Sequence, residues 1–190
     1  MKRKHLLLAL LAAVAGPVFA ADTAYNIDPG HTYPSFEADH MGLSFWRGKF
    51  NQTSGKVSLD RAAKTGSLDI VIDAKSIDFG HDKMNARLMA DDMFNVEKFP
   101  TILYKSNKMI FDGERLAAVD GELTLLGVTK PVRLTIKHFK CMIKPPLQRE
   151  VCGADASGEF KRTDFGFDYG VPRFAPEIKL AIQVEAIKAD

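Results

Sequence analysis

Period-two alternation of apolar and polar side chains is the feature that most narrows what this chain can fold into. Leu68, Ile70 and Ile72 alternate with Ser67, Asp69 and Asp73, and Val132, Leu134 and Ile136 with Arg133, Thr135 and Lys137. Near the end Ile178, Leu180, Ile182, Val184 and Ala186 alternate with Lys179, Gln183 and Glu185. Shorter versions occur at Pro34/Phe36/Ala38, Val57/Leu59, Val119/Gly121/Leu123/Leu125 and Ala154/Ala156/Gly158/Phe160. Each run is a strand with one apolar and one wet face, which belongs to antiparallel sheet. Asp28-Pro29-Gly30, Asn51 to Gly55, Lys64-Thr65-Gly66, Asp112-Gly113, Gly127 and Gly170 are the turn signals between at least eight such strands. One helix is expected, over Lys83 to Met93, with Asp82 as N-cap and Met84, Leu88 and Met89 on one side. A single domain of this kind is a sandwich or a closed up-and-down barrel. Several inward positions are small (Ala38, Gly48, Gly121, Ala154, Ala156, Gly158), which leaves room inside a barrel or marks bends.

The N-terminus reads as a leader. Lys2-Arg3-Lys4 precedes an apolar stretch from Leu6 to Val14, Gly16-Pro17 breaks it, and Val18-Phe19-Ala20 supplies the small residues of a cleavage site. The expectation is a signal peptide over 1–20, a single domain over 21–190 and a periplasmic location. The apolar run falls short of the ~20 residues that span a bilayer, and no later stretch approaches that length. Losing three of the 26 basic side chains and none of the 24 acidic ones turns the formal charge of +2 into −1. A chain so balanced exerts no general pull on nucleic acid. Cys141 and Cys152 are the only cysteines, and an even count in an oxidising compartment reads as one disulfide closing a short loop.

The motifs of catalysis are missing: no G-x-S-x-G, P-loop, G-x-G-x-x-G or H-E-x-x-H occurs. His31, His40, His81 and His138 are scattered, so a non-enzymatic role without a catalytic cofactor is expected, with a hydrolase of unobvious active site as the remote alternative. A stronger alternative is the cluster of His81, Met84, Met89 and Met93, whose thioethers and imidazole suit Cu(I), although filling of apolar space is the commoner use of Met. The 13 Phe, 4 Tyr and 1 Trp are unevenly placed: Phe45-Trp46, Phe50, Phe94, Phe99, Phe160, Phe165, Phe167 and Phe174 fall largely in turns and strand ends, where they either plug a barrel or line an entrance for an apolar chain, with the helix as lid. Arg47, Arg162 and Arg173 sit among them and could meet a polar head.

The chain resembles the YceI family of periplasmic lipocalin-like, polyisoprenoid-binding proteins. The matching motifs are Asp28-Pro29-Gly30-His31-Thr32, Asp39-His40-Met41-Gly42, and Gly48-Lys49-Phe50 with Gly55-Lys56-Val57. They continue with Phe94-Asn95-Val96-Glu97-Lys98-Phe99-Pro100, Gly121 to Val132, and Arg162-Thr163-Asp164-Phe165-Gly166. Cys141 and Cys152, with Val151-Cys152-Gly153, resemble a branch carrying a disulfide there. Leu126 departs from the pattern, in which many members place a polar residue or His before the Gly.

The resemblance implies an eight-stranded antiparallel barrel with a short helix over one opening. It also implies a bound long isoprenoid, ubiquinone or a polyprenyl phosphate, and no catalytic residues. Strand facing makes Phe36, Ala38, Trp46, Phe50, Ile70, Ile72, Phe94, Leu123, Leu125, Leu134, Phe160, Ile182 and Val184 the expected cavity wall. A phosphorylated head would need Arg47 or Arg162. A quinone would need only neutral donors such as Tyr33, Tyr104 or His40. Monomer and homodimer both stand open.

Overall fold

The computed structural model describes residues 22–190, so the expected leader lies outside the described residues. Eleven strand segments are present: β1 (Thr23–Ile27), β2 (Tyr33–His40), β3 (Ser44–Phe50), β4 (Thr53–Asp60), β5 (Thr65–Asp73), β6 (Ile77–Asp78), β7 (Thr101–Asp112), β8 (Arg115–Leu125), β9 (Val128–Lys144), β10 (Arg149–Lys161) and β11 (Glu177–Lys188). All pairings are antiparallel.

The registers join these segments into eight staves. β1 and β2 both run along β11, with Ile27 opposite Ala186 and Ala38 opposite Ile178, so they form one stave bent at Asp28-Pro29-Gly30. β3 and β4 follow as a second bent stave, since β3 pairs with β2 and β4 with β1. β5 and β6 form the third, through pairings with β4 and β3 respectively. The remaining five staves follow in chain order, and β11 returns to the first. The result is a closed antiparallel barrel of eight strands, whose unpaired edges are confined to strand ends such as β9 beyond Thr135.

The turns are built from local chemistry. Asp28 Oδ1 accepts from the Gly30 backbone N–H at 3.0 Å and Oδ2 lies 2.9 Å from His31 Nδ1. The β8–β9 connection is the two-residue turn Leu126-Gly127, with φ of 52° and 76°. Positive φ at both central residues is the turn geometry whose twist matches a hairpin. Leu126 thus shapes a hairpin turn, although it also packs partly buried against the core.

Helix α1 (Asp82–Leu88) is shorter than expected, and its N-cap is His81. The His81 Nδ1 accepts the Met84 backbone N–H at 3.2 Å, the role expected of Asp82. Beyond Leu88 the chain turns back, with the Phe94 N–H on the Leu88 carbonyl at 2.9 Å and the Asn95 N–H on that of Ala90. The helical spacing of Met89 and Met93 therefore outlasts the helix itself.

Cys141 and Cys152 form the disulfide, facing each other across β9 and β10. Cys152 joins a small core of Tyr25, Ile27, Leu59 and Ala186 at one end of the barrel. The larger core, around Phe50, Ile72, Phe94, Phe165 and Phe167, lies toward the helix.

Candidate functional site: an apolar tunnel

A cavity of about 470 Å³ runs through the barrel. Its wall reaches from Tyr25, Ile27 and Leu59 at the disulfide end to His40, Trp46, Arg87, Tyr169 and Phe174 at the helix end. The volume lies within the roughly 300–1,000 Å³ usual for small-molecule sites. The two ends differ in access. Tyr25, Leu59 and Ala186 are buried, whereas His40, Trp46, Arg87 and Phe174 are partly exposed and Tyr169 is 47% exposed. The tunnel is thus shut at the disulfide end and opens between α1, the β2–β3 hairpin and the loop 166–176.

The thirteen residues expected on the wall all line this cavity. They come from alternate positions of β2, β3, β5, β8, β9, β10 and β11, together with Phe94 after the helix. Ile70, Ile182 and Val184 remain only half buried although they face inward, because they border the cavity as well as the packed core. The small inward residues behave in two ways. Ala38, Ala154 and Ala156 line the cavity and leave it wide. Gly48 and Gly121 do not: a β-carbon on Gly48 would meet the Phe79 ring at 2.6 Å, and one on Gly121 the Tyr104 ring at 2.5 Å. At those two positions the missing side chain admits a neighbouring ring, so the expected extra room is already filled.

The expected head-group residues divide similarly. Tyr33 and Arg47 lie off the cavity wall. On β2 and β3 the even-numbered residues Phe36, Ala38, Trp46 and Gly48 face inward, so odd-numbered Tyr33 and Arg47 face out. The Tyr33 hydroxyl donates to the Gly30 carbonyl at 3.0 Å, and the Arg47 Nε donates to Glu37 at 2.7 Å with its side chain 69% exposed. Neither is placed to meet a ligand head inside the tunnel. Tyr104 lines the cavity, but its hydroxyl donates to the Val132 carbonyl at 2.8 Å. Burial raises its pKa well above that of an ordinary phenol, so it stays neutral and committed to the wall.

His40 and Arg162 remain at the open end. The His40 ring stacks on Trp46 at 5.0 Å between centroids and lies 5.4 Å from Phe174. Arg162 is 7% exposed. Its Nη1 donates to the Phe167 carbonyl at 2.7 Å and its Nη2 to the Phe174 carbonyl at 3.1 Å, which ties down the loop 166–176. Burial lowers the guanidinium pKa, partly offset by Asp168, and no carboxylate pairs with it within 4 Å among the described residues. Its guanidinium also lies 5.4 Å from the centre of the Phe167 ring, and a buried cation with no paired carboxylate favours an oxygen acceptor brought beside it.

At the closed end the Tyr25 hydroxyl donates to Glu150, whose other oxygen accepts from Arg61 Nη2 at 3.0 Å. Burial, with help from Glu150, pushes the Tyr25 hydroxyl up to about 12. Thr53, also on the wall, has the one buried side-chain oxygen left without a partner among the described residues.

Of the candidate copper cluster, Met84 and Met93 line the tunnel and Met89 packs against the same core. His81 is exposed and uses Nδ1 as the helix cap. These positions fit the filling of irregular apolar space.

The sequence reading missed several wall residues. Phe139 and Met109 lie beyond bulges that reverse the inward face: β9 carries one extra residue opposite Asp155/Ala156, and β7 one between Lys105 and Lys108. Phe79, Arg87 and Tyr169 lie outside regular strands, where alternation carries no signal.

A closed eight-stave barrel with an apolar interior defines a lipocalin-like architecture. The chain belongs to the YceI family, matching its YceI-like domain over residues 25–186. A UPF0312 protein of Shewanella denitrificans is 35% identical over 191 residues, covering 98% of this chain and 99% of that one. A UPF0312 protein of Pseudomonas aeruginosa is 30% identical, covering 99% of each. The YCEI protein of Campylobacter jejuni superimposes with a TM-score of 0.69 at 25% identity, over 78% of this chain and 88% of that one. A polyisoprenoid binding domain from Saccharophagus degradans shares the fold at a TM-score of 0.65 and 16% identity, over 88% of this chain and 99% of that one.

Proposed function

We propose that the protein is a periplasmic, non-enzymatic carrier that holds a long isoprenoid lipid, of the ubiquinone or polyprenyl phosphate class, in the barrel tunnel. The observation that carries this reading is the apolar cavity that extends from Tyr25 to Tyr169 and opens at one end only. The likeness to a polyisoprenoid binding domain supports the choice of tail, and the N-terminal pattern supports the compartment.

Enclosing the tail supplies the affinity. Each 100 Å² of apolar tail removed from water contributes roughly 2.5 kcal/mol, set against the ordering of tail and entrance. A tail with polar groups would lose more than one of a different length. The tail points inward to the closed end, and the head lies at the entrance beside His40 and Arg162. A phosphate and a quinone carbonyl share the chemistry that Arg162 favours, an oxygen acceptor.

Native mass spectrometry with solvent extraction of the purified protein tests this. The expected result is one lipid per chain. A quinone absorbance identifies one class and phosphorus the other. Protein recovered empty, or holding only linear acyl lipids, overturns the isoprenoid reading.

A further inference from the structure

The tunnel entrance carries more exposed apolar surface than a resting solvent-facing rim needs. On the β2–β3 hairpin tip Leu43 is 78% exposed, Phe45 51% and Met41 42%. Across the entrance, on the loop 166–176, Tyr169 is 47% and Val171 37% exposed. The two segments belong to one rim: the Ala175 N–H donates to Asp39 Oδ2 at 3.4 Å, and Phe174 packs on His40. Exposed apolar residues clustered in this way mark an interaction surface.

The charges around them choose the partner. The Lys179 ammonium lies 5.5 Å above the Phe45 ring, and the Arg87 guanidinium 4.8 Å above that of Tyr169. Lys179 and exposed Arg173 form no ion pair among the described residues. Three carboxylates near the rim are engaged, Glu37 with Arg47, Asp92 with Arg87, and Asp39 with the Gly42 and Ala175 backbone N–H groups, while Asp168 in the loop forms no ion pair among the described residues. Aromatic and aliphatic tips flanked by the unpaired cations Lys179 and Arg173 suit the interface of an anionic bilayer, where rings sit at headgroup level and cations meet phosphates.

We infer that the hairpin tip Met41–Phe45 and the facing loop around Tyr169 dock on an anionic phospholipid surface, with the tunnel entrance turned to the membrane. The inference rests on the lipid-carrier reading for its purpose, since a membrane lipid then passes between bilayer and tunnel without crossing water. It rests on the rim alone for its existence.

The test compares the protein with L43S/F45S, which alters the tip without touching the cavity wall. M142S/I143S serves as the control, because Met142 and Ile143 are also exposed, at 50% and 57%, but lie on the β9–β10 hairpin at the closed end. Co-sedimentation is measured with vesicles of phosphatidylethanolamine and phosphatidylglycerol, and uptake of a long-chain ubiquinone is followed from those vesicles and from detergent. L43S/F45S is expected to bind vesicles about tenfold more weakly and to load more slowly from them. It should load fully from detergent, and M142S/I143S should match the parent.

Unchanged co-sedimentation of L43S/F45S, or equal loss in M142S/I143S, overturns the docking surface. A parent that sediments through its hairpin but takes up no isoprenoid from either source keeps the surface and removes the carrier reading.

Discussion

Lys64 stands in the β4–β5 turn with φ of 59°, a conformation that costs a residue with a β-carbon roughly 1–2 kcal/mol. Its ammonium reaches Glu114 at 3.4 Å, but both side chains are largely exposed and the pair is worth little. Asn tolerates this backbone region better. Lys64→Asn is therefore expected to stabilise the protein by about 0.5–1 kcal/mol, raising Tm by roughly 1–4 °C in thermal unfolding. A lower Tm would show that the Glu114 contact outweighs the backbone term. Single residues also show where sequence reading stops. Alternation placed Phe36, Ile70, Leu123 and Val184 on the inner face because burial and pleat share one period. It could not show that Gly121 is occupied by the Tyr104 ring, since that contact joins neighbouring strands. Arg47 and Tyr33 have the chemistry to meet a head group, but the alternation sends both outward.

Strands were legible as strands, but a bulge leaves no mark in composition. The extra residue in β9 turns Phe139 and Cys141 toward the side that Val132, Leu134 and Ile136 occupy lower down, so period-two reading fails midway along the strand. Helix α1 was legible only at its start, because Met89 and Met93 keep helical spacing while serving the core from a turn. β9 shows why the disulfide matters. Its pairing with β8 ends at Thr135, and beyond that residue it is bonded only to β10. Cys141–Cys152 crosses that one-sided ladder. Removing it by C141A/C152A is expected to cost about 2–3 kcal/mol, or roughly 5–10 °C in Tm. Amide hydrogen exchange should accelerate over Phe139–Lys144 and change little over Val128–Thr135. Uniform acceleration along β9 would mean that the bridge stabilises the whole barrel and not the projecting arm.

A closed ring of eight staves settles its backbone hydrogen bonds without needing a filled centre, so the molecule can keep an apolar interior partly vacant. That vacancy has a thermodynamic signature. Whatever binds the folded tunnel and not the unfolded chain stabilises the fold, by about 2.7 kcal/mol when its concentration is a hundredfold above Kd. Delipidation of the parent protein is therefore expected to lower Tm by roughly 5–10 °C, and adding the extracted lipid should restore it. Ala38 tests whether the effect belongs to the tunnel. It lines the wall near the entrance, between Trp46 on one strand and Ile178 on the other. An indole there would occupy ligand space while leaving both ladders intact. Ala38→Trp should fold, carry little extractable lipid and unfold at the same temperature before and after delipidation. If Ala38→Trp retained a full complement of lipid and the parent Tm ignored extraction, the lipid would be bound outside the barrel. The cavity would then be a packing defect tolerated by ring closure.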